Sequence, residues 1–171
     1  MNRSKRFVWL VPLFAAIPLG ASAQTVSLSA TVASQCSVGN ATVNLGALNL
    51  AVQTNNTANN LALTCTRCAT VVVALNNGVN PAGTQKRLRN GVTTDYLNYN
   101  ISRPTISGTT TSCPALPGTE WNATNTLAAT SMFAATGGAR NLSLCVSVPA
   151  GQFNIGAGTF TDTVTATLTV T

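Results

Sequence analysis

The sequence contains no histidine and few charged residues, with 3 acidic and 9 basic side chains among 171 residues. Without histidine, the chain has no imidazole for a Ser/His or Cys/His catalytic pair and none to bind a metal. The three acids, Asp95, Glu120 and Asp162, lie at least 25 residues apart in the sequence, so only tertiary contact could pair them. These absences argue against a hydrolase or a metalloenzyme. We therefore expect a protein that is not an enzyme and that carries no metal or cofactor.

Neutral polar residues replace the missing charges. Charged residues make up 7% of the chain, against about 25% in a typical domain. The chain has instead 27 threonines and 18 asparagines. Threonine favours strands and asparagine favours turns, and a hydrophobic content of 45% argues against disorder. The composition predicts a folded all-β protein.

Residues 1–23 have the pattern of an export signal. Three basic residues precede an apolar run over residues 7–19, and Ala21-Ser22-Ala23 fits a signal peptidase site. Because 13 apolar residues are fewer than the ~20 that cross a bilayer, we expect cleavage after Ala23 and no stable membrane insertion. Removing 23 residues, three of them basic, leaves 148 residues with a formal net charge of +3. So small a charge does not favour nucleic-acid binding.

All five cysteines follow this segment: Cys36, Cys65, Cys68, Cys113 and Cys145. An oxidising compartment favours disulfides over metal or thiol chemistry. Cys65 and Cys68 have the spacing of half a zinc site or of a redox motif. However, no histidine or second CxxC motif completes such a site, and no βαβ pattern surrounds it. The odd number leaves at least one cysteine without a partner in its own chain.

An alternating pattern of apolar and small polar residues opens the exported chain. The apolar residues are Val26, Leu28, Ala30 and Val32, so residues 25–33 are predicted to form a strand with one buried face. Further strands are predicted near residues 43, 61, 96, 127, 142 and 160. An immunoglobulin-like sandwich needs seven strands, and the seventh is found only at the N-terminus. This strand could pair within its own sandwich or serve another molecule, and the pattern alone leaves both possible.

Three other segments carry specific expectations. Residues 53–60 and 103–119 are rich in turn-forming residues and are predicted to be connections. The basic cluster Lys86, Arg87 and Arg89 precedes a turn and is predicted to be a solvated loop. In the last strand, Asp162 shares the face of Phe160 and Val164, and the pattern offers no reason for an acid there.

The order of motifs along the exported chain resembles the spore coat protein U domain, which also builds the subunits of archaic chaperone-usher pili. The motifs are Cys36-Ser37-Val38, Leu63-Thr64-Cys65-Thr66, Leu75-Asn76-Asn77-Gly78, Arg87-Leu88, Tyr96-Leu97-Asn98-Tyr99-Asn100, Val148-Pro149-Ala150-Gly151-Gln152 and Gly158-Thr159-Phe160-Thr161-Asp162-Thr163-Val164. The resemblance implies an incomplete immunoglobulin-like β-sandwich over residues 35–171, with six strands. It implies that residues 24–34 are a donor strand that completes a neighbouring subunit, with Val26, Leu28, Ala30 and Val32 facing its groove.

The resemblance also implies the partners and a disulfide. The partners are identical subunits in a head-to-tail polymer, a periplasmic chaperone and an outer-membrane usher, and the product is a fibre at the cell surface. The Cys36 and Cys65 positions match the family's disulfide. Cys68, Cys113 and Cys145 lie outside the common pattern, and two of them are expected to form a second bridge.

The leading hypothesis is therefore a structural subunit of an exported pilus that serves adhesion or biofilm formation. A spore or cyst coat protein is the alternative among structural proteins. A sugar-binding tip adhesin would need a second domain, which 148 residues hardly allow. A secreted enzyme would need a cluster of titratable groups that this chain lacks.

Overall fold

The structure is a computed structural model that describes residues 27–170, with the backbone only for residues 56–60. Of the described residues, 33–170 belong to one compact unit. Its strands are β1 (Cys36–Val38), β2 (Thr54–Cys65), β3 (Val71–Leu75), β4 (Lys86–Asn90), β5 (Tyr96–Ser102), β6 (Thr105–Ser107), β7 (Thr110–Ser112), β8 (Leu127–Ala128), β9 (Gly138–Val148), β10 (Phe160–Thr161) and β11 (Ala166–Val170). A 3₁₀ turn covers Thr130–Phe133. Within residues 27–170, we find no helix that is long and apolar enough to cross a membrane.

The larger sheet has the strand order β1-β2-β9-β5-β4-β10, and every pairing in it is antiparallel. Its centre is the long pairing of β2 with β9, which runs from Thr54 opposite Val148 to Cys65 opposite Gly138. Leu61 and Leu63 lie two residues apart on β2 and are both buried, as expected for a strand with one face toward a core.

The smaller sheet has the order β11-β3-β8, and it shares one hydrophobic core with the larger sheet. The central strand β3 buries Val71, Val73 and Leu75 on one face. Trp121 is fully buried, and its indole Nε1 donates a hydrogen bond to the carbonyl oxygen of Val73 at 3.0 Å. The predicted all-β class, an immunoglobulin-like sandwich of antiparallel sheets, is confirmed.

Two predicted boundaries are wrong. Residues 53–60 are not a connection, because β2 begins at Thr54 and pairs with β9 through this segment. The partner strand thus overrides the local turn propensity of asparagine. Conversely, the strand predicted near residue 43 is not found within described residues 43–50. Val43 and Leu45 nevertheless pack against the core.

The prediction for Lys86, Arg87 and Arg89 is also wrong, because these residues lie on strand β4. Lys86 is fully buried, and its Nζ donates hydrogen bonds to Glu120 Oε1 at 2.5 Å and to the Trp121 carbonyl oxygen at 3.0 Å. Sequence alone could not pair Lys86 with an acid 34 residues away.

The connection predicted over residues 103–119 is partly ordered as a hairpin. Strands β6 and β7 pair from Thr105 opposite Ser112 to Ser107 opposite Thr110. The Thr111 hydroxyl lies 2.9 Å from the Ser143 hydroxyl and also accepts a hydrogen bond from the Ser143 backbone N–H. The hairpin is thereby attached to β9.

Candidate functional site

Two strand edges border an open groove. Strand β1 is the edge of the larger sheet and β11 is the edge of the smaller one. In the described part of the chain, β1 pairs with β2 and β11 pairs with β3, so each has a partner strand on one side only. An unpaired edge offers backbone N–H and C=O groups to another strand.

The groove has a volume of about 520 Å³ and is lined by both apolar and polar residues. Its floor is formed by core side chains, its first wall by the chain that follows β1 and its second wall by the chain that leads into β11. The lining residues are Val38, Gly39, Asn40, Ala41, Val43, Leu45, Leu61, Leu75, Leu88, Tyr99, Ile101, Leu144, Val146, Asp162, Thr163, Val164, Thr165 and Ala166.

Residues 160–170 at the end of the chain are incompletely covered on their inward-facing side. The even-numbered residues Phe160, Asp162, Val164, Ala166, Leu168 and Val170 are all half-buried, and the odd-numbered residues between them are exposed. This alternation matches the sequence pattern. By contrast, the inner residues of the neighbouring strand β3 are fully buried. Among the described residues, no strand pairs with the open edge of β11.

The single strand predicted from Phe160 to Val170 is wrong, because the chain changes sheets along this edge and forms two strands. Strand β10 pairs with β4 in the larger sheet, whereas β11 pairs with β3 in the smaller sheet. Residues 162–165 lie between them, outside any strand, and line the groove. Thr165 is held by Asn76, because its backbone N–H donates to Asn76 Oδ1 at 2.9 Å and its carbonyl oxygen accepts from the Asn76 N–H at 3.0 Å.

The structure explains the acid on the inward-facing side of this segment. The Asp162 carboxylate accepts hydrogen bonds from the Val79 N–H at 3.0 Å, Asn80 Nδ2 at 3.2 Å and the Tyr99 hydroxyl at 2.7 Å. A Cβ at Gly78 would lie 2.0 Å from Asp162 Oδ2, and Gly78 has a φ of +83°. Only glycine fits this position. The partners of Asp162 are far away in the sequence, so the pattern could not reveal them.

Tyr99 provides a testable consequence of this contact. Burial, together with the hydrogen bond to Asp162 and its negative charge, raises the pKa of the Tyr99 hydroxyl well above the ordinary 10.0. As the pH rises above about 10, the unfolded chain releases this proton while the folded protein keeps it. The contribution of Tyr99 to stability should therefore fall as the pH rises above that value.

We expect a base titration followed by tyrosinate absorbance to show this directly. The difference between the wild type and Tyr99→Phe should contain no ionisation near pH 10 in the folded protein, and it should show one after unfolding in urea. An ionisation of Tyr99 near pH 10 in the folded protein would contradict the proposed environment.

The structure also places the predicted donor residues. Val26 lies outside the described residues. Leu28, Ala30 and Val32 are exposed, with 90% of Leu28 and 83% of Val32 accessible. The predicted strand is not formed over the described residues 27–33. The apolar residues of this segment that the structure describes are thus exposed.

Four of the five cysteines form two disulfides. The Cys36–Cys65 bridge joins the first residue of β1 to the last residue of β2, and the Cys113–Cys145 bridge joins the chain after β7 to β9. Cys68 is an exposed free thiol. Among the described residues, no group of three or more His, Cys, Asp or Glu side chains could hold a metal ion.

Comparisons with known proteins give one family. The model of the Spore Coat Protein U domain family matches residues 22–167. A chain of the crystal structure of the CsuC-CsuE chaperone-tip adhesion subunit pre-assembly complex, from the archaic chaperone-usher Csu pili of Acinetobacter baumannii, is similar at 16% identity with a TM-score of 0.49. That similarity covers 81% of this chain and 40% of the other, so this chain spans less than half of its length. No curated protein matches the sequence.

Proposed function

The chain belongs to the Spore Coat Protein U domain family, and we propose that it is a structural subunit of an exported surface fibre. In this fibre, residues 24–33 of each copy fill the groove of the next copy as an added strand. The observation that carries the proposal is the groove between the chain that follows β1 and the chain that leads into β11, beside the unpaired edges of these two strands.

The physics of strand addition supports this assignment. An added strand forms backbone hydrogen bonds with the open edges, and its alternate side chains fill the groove. Ten residues of strand span about 33 Å. The half-buried inner residues of the last strand would gain the neighbour that they lack.

A second copy of this chain is the occupant that the sequence favours. Leu28, Ala30 and Val32 alternate with small polar residues, and they are exposed in the isolated chain. Burial of a leucine or valine side chain contributes about 1.5–3 kcal/mol. Insertion into an apolar groove would therefore remove an unfavourable exposed surface from both copies.

The same open edges imply that another protein covers the subunit before assembly. An exposed edge and an exposed apolar groove promote aggregation. We therefore propose a periplasmic chaperone that covers the groove and an outer-membrane usher at which the next subunit replaces the chaperone.

Adhesion or biofilm formation is the proposed role of the fibre. A spore or cyst coat is the second candidate, since the family's name and the same assembly chemistry also fit a coat.

Expression without a chaperone tests the proposal. The protein that begins at Gln24 should form soluble multimers or aggregates, because each copy exposes both a groove and a donor segment. Size-exclusion chromatography should show this as a loss of the monomer peak. A matched variant without residues 24–33 should form no chains and should bind a labelled peptide of residues 24–33. If the protein that begins at Gln24 is a stable monomer whose groove rejects the peptide, the proposal is wrong.

A further inference from the structure

The proposed donor segment and the last strand have nearly the same sequence in opposite directions. Residues 26–32 read Val-Ser-Leu-Ser-Ala-Thr-Val, and residues 170–164, taken backwards, read Val-Thr-Leu-Thr-Ala-Thr-Val. Five of the seven positions are identical, and the other two exchange serine for threonine. An antiparallel pairing of the two segments would therefore place like residues side by side.

The backbone of β11 offers hydrogen bonds to an added strand at its inward-facing residues. The Thr165 N–H donates to Asn76 Oδ1 and the Thr165 carbonyl oxygen accepts from the Asn76 N–H, so both groups point toward the β3 side. This orientation alternates along an antiparallel pair. Thr167 therefore also points both groups toward β3, whereas the even-numbered residues of β11 point theirs toward the open edge.

The N-terminal segment leaves the sandwich at the end where β11 finishes. A short connection over residues 66–70 joins the last residue of β2 to the first residue of β3. Cys36 pairs with the former and Val170 with the latter, so Cys36 and Val170 lie at the same end of the sandwich. Residues 33–35 lead into β1 at this end.

This position fixes the direction of the incoming segment. In an unbranched fibre, the copy that receives the segment occupies the end near Val170. The copy that donates a segment must then lie at the other end, near Ala166. The incoming strand has its C-terminal residues beside Ala166 and its N-terminal residues beside Val170, so it runs antiparallel to β11.

One antiparallel register matches the two segments along their whole length. It places Leu28 opposite Leu168 and Ala30 opposite Ala166. Residues that lie opposite each other have side chains on the same face of the sheet, and Ala166 and Leu168 already pack against the core. The apolar face of the donor therefore continues the face that β11 turns to the core. On the outer face, serine and threonine of the donor lie opposite threonine, which is a favourable pairing in sheets.

Neighbouring registers fit less well. A shift of one residue would turn the apolar face of the donor to water. A shift of two residues in one direction would place the apolar side chain of Val32 opposite the Asp162 carboxylate. A shift of two residues in the other direction would leave Val26 beyond Val170, the last residue of β11.

We propose that the donor segment pairs with residues 164–170 of the next copy in the register that sets Leu28 opposite Leu168 and Ala30 opposite Ala166. This inference rests on the proposed function and adds the pairing by which one copy recognises another. Each copy carries at its N-terminus a strand that matches the open edge of its own fold.

Paired cysteines on the outer face test the register. The native Cys36–Cys65 bridge joins directly opposite residues of an antiparallel pair, so this geometry accepts a disulfide. In the proposed register, Ser29 lies directly opposite Thr167 in a pair without mutual backbone hydrogen bonds, whose Cα atoms are about 4.5 Å apart. The test variant combines Ser29→Cys and Thr167→Cys with Cys68→Ser, which removes the free thiol.

Two control variants move the partner cysteine along the strand. They carry Thr165→Cys or Thr169→Cys in place of Thr167→Cys, on the same exposed face. Diagonal neighbours are about 7–8 Å apart, and above about 7 Å a disulfide needs backbone movement. All three proteins begin at Gln24 and are oxidised mildly after multimers have formed.

Non-reducing gel electrophoresis provides the readout, and peptide mapping identifies the linked residues. The Thr167→Cys variant should give a ladder of covalent multimers that reduction converts to monomer, whereas the controls should give mainly monomer. A ladder from a control variant but not from the Thr167→Cys variant, or no cross-link in any variant that forms multimers, would overturn the register. A wild-type protein that never forms multimers, or a cross-link confined to single chains, would instead overturn the proposed function.

Discussion

Cells that produce the Leu28→Asp variant should form no fibres, whereas cells that produce Ser29→Asp should form normal ones. Leu28 belongs to the apolar face of the donor segment, and Ser29 belongs to the opposite face. In the groove, an aspartate at position 28 would lose its water among apolar side chains such as Ile101, Leu144 and Val146. Burial of an unpaired polar or charged group costs several kcal/mol. At position 29, the carboxylate would stay in water.

Electron microscopy of cells that carry each variant measures this difference. The two variants have the same added charge in neighbouring positions, so Ser29→Asp controls for effects on charge and export. Immunoblots of the exported protein should show similar amounts of both. Normal fibres from the Leu28→Asp strain would mean that this segment is not the donor.

The second large effect concerns the ion pair between the fully buried Lys86 and Glu120, whose side chain is 28% exposed. Glu120→Ala would leave the fully buried Lys86 ammonium without its opposite charge. Removal of one partner of a buried pair typically costs about 3–5 kcal/mol, whereas replacement of both partners by apolar residues is often neutral. We therefore expect Glu120→Ala to reduce the free energy of unfolding by about 3–5 kcal/mol.

Urea unfolding of the purified protein checks this expectation. The double variant Lys86→Met/Glu120→Leu should recover most of the lost stability, because no charge remains in the core. A loss below about 1 kcal/mol for Glu120→Ala, the size of a surface pair, would show that Lys86 finds another partner. A double variant as unstable as Glu120→Ala would contradict the explanation that the unpaired Lys86 charge causes the loss of stability.

The sequence predicted those elements of the fold that have a strict period of two. Strand β5 starts at the predicted residue, and the inner and outer faces of the last strand alternate as expected. Predictions failed where a distant partner decides the structure. The asparagine-rich start of β2 is a strand because β9 lies beside it, and Lys86 enters the core because Glu120 neutralises it.

The sequence predicted that the fold lacks a strand, but it did not predict which segments line the groove. The strand count indicated a missing strand, and the last strand showed the apolar face that borders the groove. The chain at Val43 and Leu45, which forms the other wall, has a short apolar pattern that predicted a strand, whereas the structure has irregular chain there. Asp162 remained unexplained because its three hydrogen-bond donors lie about 60 or more positions away. Nor could spacing decide which of three cysteines pair in the second disulfide.

Electron cryomicroscopy of the assembled polymer tests the central claim most directly. The predicted map shows residues 24–33 of one copy as a strand between β1 and β11 of the next, with Leu28 and Val32 inside the groove. A map in which the groove is empty, or is filled by the chain's own N-terminal segment, would contradict it.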